Sequence, residues 1–297
     1  MMHGTRTQAA FAPSADGRND RAQTAQMAVQ ALGLTKDYGS GESLVHALRG
    51  VDVGFERGRF TAIMGPSGSG KSTLMHALAG LDTVTSGHVY LNGADAAGVE
   101  EGRAGRHDGG QGAVDLAALD DDQLTLLRRR CLGFIFQSFN LLPMFTARQN
   151  ILMPLILDGA KPDTAWLDLL VGTLGLEGRL SHRPSELSGG QQQRVAIARA
   201  LIAKPSIVFA DEPTGNLDTV SSTEVLSFLR DSVRELGQTV IMVTHDAFAA
   251  SFADRALVFA DGRIVADQDR PTVDAMNTLL SEATGASAEL AAPVANS

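Results

Sequence analysis

The stretch GPSGSGKST at residues 65–73 constrains the fold more than any other part of this chain. Gly65, Gly70, Lys71 and Ser72 meet the pattern G-x-x-x-x-G-K-[ST]. That pattern carries meaning only where a strand feeds it and a helix leaves it. Here the apolar run FTAIM (60–64) precedes it. STLMHALAGL (72–81) follows, with Leu74, Leu78 and Leu81 on one helical stripe. Glycines in such a loop let backbone N–H groups converge with no Cβ in the way. The following helix adds the positive end of its dipole. Gly65, Pro66, Ser67, Gly68, Ser69, Gly70, Lys71, Ser72 and Thr73 are therefore expected to cradle phosphates. Lys71 supplies a point charge for the β- and γ-phosphates, and the Ser72 hydroxyl suits a Mg²⁺ ligand.

Three further apolar runs have strand length: GFIF (133–136), SIVFA (206–210) and TVIMVT (239–244). Strands buried on both faces of a parallel sheet read as continuous apolar runs. QQQRVAIARALIAKP stripes Val195, Ala198 and Ile202 along a helix that stops at Pro205. ALVFADGRIVA reads as a hairpin turning at Asp261-Gly262. Together these predict an α/β core. Residues 138 to about 185 lack strand signals and are expected to form a helical subdomain, closed by the helix that runs to about 199.

IVFADE supplies the acids that the phosphate loop needs. Asp211 falls at the carboxyl edge of a strand, where α/β sheets bind ligands, and is placed to hold Mg²⁺. Glu212 follows as a general base for an attacking water. In LSGGQ (187–191), Ser188 is an N-cap, and Gly189 and Gly190 leave amides bare before Gln191 and a helix. The chain thus carries two helix N-termini built for anions. The phosphate loop already wraps one triphosphate, so the second is expected to close the nucleotide site of another copy.

These motifs, in this order, resemble the ATP-binding cassette (ABC) ATPases over residues of about 32–265. PTGNLD (213–218) and LSGGQQQR look most like the subgroup serving lipoprotein release, macrolide or peptide export, and cell division. The resemblance implies a P-loop NTPase (RecA-like) core with an antiparallel β subdomain and an inserted α-helical signature subdomain. It implies a cassette over residues 27–280, with ATP and Mg²⁺ as its nucleotide and metal. It also assigns roles by position. Tyr38 would stack on adenine. Gln137 would reach Mg²⁺ or the attacking water, and Asp218 would lie at a dimer seam near the partner's phosphate loop. His245 would contact the γ-phosphate and orient Glu212. The implied partners are a second copy and a separate membrane permease with an extracytoplasmic domain, which would hold the chain at the inner face of the membrane.

The rest of the sequence bounds this reading. Net charge is −9, against nucleic acid as the main partner. The only cysteine, Cys131, permits no internal disulfide, as in a reducing cytoplasm. No apolar stretch nears the roughly 18 residues of a membrane span, and the N-terminus lacks the apolar centre of a secretory signal. Residues 1–26 and 281–297 read as disordered tails, and 95–114 as a glycine-rich inserted loop. Beyond that loop, Asp120 and Gln123 can form a capping box. FNLLPMF (139–145) places Phe139, Leu141, Leu142, Met144 and Phe145 together, and part of it is expected to groove a permease helix. Long heptads between the motifs, which chromosome-maintenance ATPases need, are absent, and so is the guanine-reading NKxD of a GTPase. An ATPase that reshapes a membrane partner without moving substrate remains an alternative.

Overall fold

The computed structural model describes residues 26–92 and 113–291. Residues 1–25, 93–112 and 292–297 lie outside it, and with them most of the expected N-terminal tail and inserted loop.

The larger sheet has six strands in the order β10-β9-β3-β8-β7-β6. Its parallel members are β3 (Phe60–Met64), β6 (Leu132–Phe136), β7 (Ile207–Asp211), β8 (Thr239–Val243) and β9 (Arg255–Ala260). Every residue of β3 and β8 is buried, as the unbroken apolar runs require. β10 (Arg263–Asp269) pairs antiparallel with β9 through the expected hairpin. The turn residues Asp261 and Gly262 both have positive φ, 46° and 75°, which suits a tight two-residue connection.

A second, antiparallel sheet runs β2-β1-β4-β5, from β2 (Val45–Glu56), β1 (Met27–Tyr38), β4 (Ser86–Asn92) and β5 (Ala113–Asp115). The period-2 alternation of the large sheet divides the core in two. Phe60, Ala62, Met64, Val208, Ala210, Val240 and Met242 face one apolar cluster. The intervening Ile63, Ile207, Phe209, Ile241 and Val243 face the other, which contains Leu34 and Phe55 of the antiparallel sheet. Helix α1 (Lys71–Leu78) lies in that second layer with Leu74 and Leu78 fully buried. The first layer takes α3 (Ala147–Asp158), α4 (Thr164–Thr173), α5 (Gly189–Leu201) and α6 (Thr219–Leu236). The remaining helices are α2 (Asp121–Cys131), α7 (Ala247–Ala250) and α8 (Val273–Ala291). The Asp120–Gln123 capping box opens α2, as the sequence predicts.

Three expectations are corrected. Leu81 does not continue the α1 stripe: it is 44% exposed, because the helix ends at Leu78 and Gly80 turns the chain with φ +60°. Ala113 and Val114 are not loop but strand, paired with Asn92 and Leu91, since Val114 buries its side chain in the second core. The chain beyond residue 280 is helical up to Ala291. Met276, Leu279, Leu280 and Ala283 recur at helical spacing, and Met276 and Ala283 are buried, so the helix has an apolar face to pack.

Candidate active site

β3, β6, β7 and β8 run parallel, so their carboxyl ends open at one edge of the sheet. The phosphate loop leaves β3, Gln137 leaves β6, Asp211 ends β7 and His245 follows β8. Residues distant in sequence meet there because parallel strands deliver their ends to one side.

In the phosphate loop, glycine is required by contact as well as by conformation. A Cβ on Gly65 (φ +150°) would lie 2.0 Å from the Phe259 carbonyl oxygen. One on Gly70 (φ +104°) would lie 2.3 Å from that of Ala47. The loop is thus pressed against β9 and β2, and only bare backbone fits. Lys71 Nζ donates to the carbonyl oxygens of Gly65 at 2.9 Å and Pro66 at 2.8 Å. The ammonium is therefore folded back over the loop that it serves. Burial pushes it below its ordinary pKa, and the Glu212 and Asp211 carboxylates pull it back up. The Ser69 hydroxyl is buried with no hydrogen-bond partner, a polar group left inside the cradle.

Burial pushes the Asp211 carboxyl above its ordinary value. Among its neighbours Glu212 adds to the rise, while His76, Lys71 and a hydrogen bond from the Ser72 side chain oppose it. A desolvated carboxylate beside a hydroxyl and a second carboxylate is a donor set that a divalent cation would relieve. Among the described residues no cluster of three or more His, Cys, Asp or Glu side chains could hold a metal alone. That suits Mg²⁺, which binds through one or two protein groups and substrate phosphates. Ser72 and Asp211 thus fit the ion.

Glu212 has a left-handed backbone, φ 45°, which non-glycine residues adopt only where their surroundings impose it. Its N–H donates to Val243 O at 2.9 Å and its carbonyl accepts from Gly215 N at 3.0 Å. The side chain is thereby turned to meet His245, whose Nδ1 lies 2.9 Å from Glu212 Oε1. An open groove of about 290 Å³ adjoins the pair, lined among others by Thr214, Gly215 and Thr244.

The Gln137 side chain is packed over Gly215, where a Cβ would lie 2.7 Å from its Nε2. Its carbonyl accepts from Asn216 Nδ2 at 2.9 Å. Just beyond, Phe139 and Asn140 are both left-handed, φ 56° and 49°. Their carbonyls accept from Arg199 of α5, at 2.8 and 2.6 Å. The loop then continues over buried Asn150, which accepts from Leu142 N and donates to the carbonyls of Leu142, Phe145 and Thr146. Leu141 packs on the core, whereas Leu142 and Met144 stand 43% and 72% exposed.

Ser188 caps α5 and forms a capping box with Gln191. Gly189 and Gly190 abut Asn216 and Ser221, where a Cβ on Gly190 would lie 2.8 Å from Ser221 Oγ. From the same helix, buried Gln193 donates to Pro213 O at 2.6 Å. Asp218 caps α6, accepting from the N–H groups of Val220 and Ser221 and from the Ser221 hydroxyl. Those bonds hold its carboxyl below the ordinary value. Tyr38 borders the phosphate loop in an open groove of about 540 Å³, with His46, Arg49, Gly68, Lys71 and Thr73 also in the wall. None of residues 187–191 lines it.

Sequence reasoning missed Arg199, Gln193, Asn150 and Asn216. Arg199, Gln193 and Asn216 act through backbone carbonyls 20 or more residues away, and Asn150 through carbonyls of the loop just before its own helix, partners that no spacing rule announces. A family profile described as ABC transporter matches residues 48–215, more than half of the chain. The chain belongs to the ABC transporter family. A second profile, for a protein of unknown function, matches residues 230–297. Among ABC transporter relatives, the lipoprotein-releasing system ATP-binding protein LolD of Geobacter metallireducens is 43% identical over 241 residues. The match covers 80% of this chain and 98% of LolD. The macrolide export ATP-binding/permease protein MacB of Marinobacter nauticus is 46% identical over 241 residues, but the chain spans only 34% of its length. A dimeric post-hydrolysis ATP-binding cassette, MJ0796 with ADP and Pi, matches with TM-score 0.68 and 38% identity over 82% of this chain and 98% of its own. No helix among the described residues is long and apolar enough to cross a membrane.

Proposed function

We propose that two copies of this chain close face to face around two ATP molecules and so drive a membrane permease of the exporter or lipoprotein-release type. The observation that carries this is the separation of two anion cradles on one chain. The groove at the phosphate loop takes none of its wall from residues 187–191, while the glycines of that segment lie against Asn216 and Ser221. A second copy supplies the missing wall. Asp218, next to that contact, falls at the seam.

Each residue then has a task. Backbone N–H groups of residues 65–73 and the ammonium of Lys71 hold the triphosphate, and Lys71 exchanges its two carbonyl partners for phosphate oxygens. Ser72, Asp211 and Gln137 would hold Mg²⁺, which when bound would neutralise charge on the phosphates. Glu212 accepts a proton from the attacking water, and His245, already paired with it, keeps the carboxylate aimed. Ser188, Gly189, Gly190 and Gln191 present amides and a hydroxyl to the γ-phosphate of the facing copy. Loss of that phosphate removes what the two faces share, and the pair reopens. Leu142 and Met144, held outward beside the Gln137 loop, offer an apolar contact for the permease. The permease would carry an extracytoplasmic domain, and the chain would work at the cytoplasmic face of the membrane.

The Glu212→Gln variant tests this. It should bind ATP, lose roughly 10²–10⁴-fold in turnover, as expected for a missing general base, and accumulate as an ATP-bound dimer by light scattering. Near-normal turnover, or a monomer at saturating ATP, would overturn the shared site.

A further inference from the structure

The ring of Tyr38 is held by a network that the chemistry above does not use. Its Oη donates to Asp82 Oδ2 at 2.6 Å. The other oxygen of Asp82 accepts from Lys36 Nζ at 2.8 Å. That ammonium also donates to Thr83 O and lies 4.8 Å from the centroid of the Tyr38 ring. One face of the ring is thus taken by a cation, while the side chain, 41% exposed, borders the groove at the phosphate loop. Lys36 is buried, although lysine is almost never so unless paired, which marks the contact as built rather than incidental. Burial alone would raise the Asp82 carboxyl. The hydrogen bonds from Lys36 and Tyr38 reverse that and hold it below its ordinary value.

The location of Asp82 gives the network its meaning. It sits just past α1, beyond the turn at Gly80, and Arg128 pins that turn by donating to Gly80 O at 2.6 Å. The N-terminus of α1 is the phosphate loop itself. One short helix therefore carries the phosphate cradle at one end and the anchor of the Tyr38 ring at the other.

We infer that Asp82 is a positioning residue for the nucleotide, fixing the Tyr38 ring relative to the phosphate loop so that adenine platform and phosphate cradle form one rigid unit with α1. This rests on the reading of Tyr38 as the adenine platform. Without Asp82 the ring keeps its stacking surface but must be ordered on binding.

The test uses the full chain and its basal ATPase activity, with Asp82→Ala, Tyr38→Phe, the double variant and Tyr38→Ala. Asp82→Ala should raise KM for ATP roughly two- to tenfold, the effect of ordering one side chain on binding, and leave kcat within about twofold. Tyr38→Phe, which keeps the ring and removes the bond to Asp82, should do the same. The double variant should be no worse than the weaker single one. Inorganic tripolyphosphate, which has no adenine, should inhibit all of them equally. A weaker tripolyphosphate inhibition in Asp82→Ala would show general damage to α1 and overturn the inference. So would full additivity in the double variant, or a KM unchanged by Asp82→Ala while Tyr38→Ala raises it. A KM unchanged by Tyr38→Ala as well would remove the platform reading along with it.

Discussion

Arg199 offers the most direct measure of how α5 supports the candidate active site. Its two terminal nitrogens clamp the carbonyls of Phe139 and Asn140, both held in the left-handed region. Arg199→Met keeps the aliphatic stem and removes the fork. A hydrogen bond to a charged group contributes about 1.5–3 kcal/mol net, and a half-buried guanidinium belongs at the lower end, so two bonds lose about 3 kcal/mol. Relaxation of the strained loop returns about 1 kcal/mol, the cost of left-handed Phe139, since asparagine takes that region readily. The balance is a loss of about 2 kcal/mol, which at about 2–4 °C per kcal/mol for a chain of this size lowers Tm by about 4–8 °C. Gln137 lies just before the clamped residues, so its position over Gly215 loosens too. Turnover should fall about tenfold, well within the roughly 100-fold that a misplacement of about 1 Å can bring. Thermal unfolding followed by circular dichroism and a coupled phosphate-release assay read the two effects. Arg199→Lys, a point charge that reaches one carbonyl, should recover about half of the Tm loss. A Tm of Arg199→Met within about 1 °C of the parent would show that the clamp contributes nothing, against the energies assigned above.

Two further outcomes are expected. Ser188→Arg should leave ATP binding to the monomer intact, by fluorescence of a labelled nucleotide, yet block hydrolysis, because the side chain obstructs the facing copy's site. Loss of monomer binding would place residues 187–191 in their own chain's pocket. Asp211→Asn concerns the raised carboxyl: folded Asp211 holds its proton more tightly than the unfolded chain does, so native stability falls as pH rises through the interval between the two pKa values. The penalty persists above that interval. The variant without Mg²⁺ should therefore melt higher than the parent at neutral pH, with the difference vanishing toward the ordinary carboxylate pKa of 3.8. It should also lose the Mg²⁺-dependent gain in ATP affinity, measured by calorimetry with and without the ion. A lower Tm at neutral pH would contradict the sign.

Much of the site was legible because its chemistry is local. A strand, a glycine loop and a helix read together as a phosphate cradle at residues 60–81, and IVFADE places two acids at the end of one strand. The buried parallel strands were equally plain, since burial on both faces leaves unbroken apolar runs. β1 and β2 left no such trace. Their residues are a mixture of buried and exposed along strands with register shifts, so alternation is blurred. The helix past residue 280 leaves little trace in the sequence because Ala283 alone continues there the apolar face begun by Met276, Leu279 and Leu280.

The sequence by itself picked out the candidate phosphate loop and the acids of IVFADE, because each is a short motif read from neighbouring residues. Only the family resemblance linked His245 to Glu212, and nothing in the sequence said that Arg199 holds the Gln137 loop or that Asp82 anchors Tyr38. Those pairs arise when parallel strands deliver their ends to one edge and a helix joins two corners of the nucleotide groove, and such distances exist only after the chain has packed.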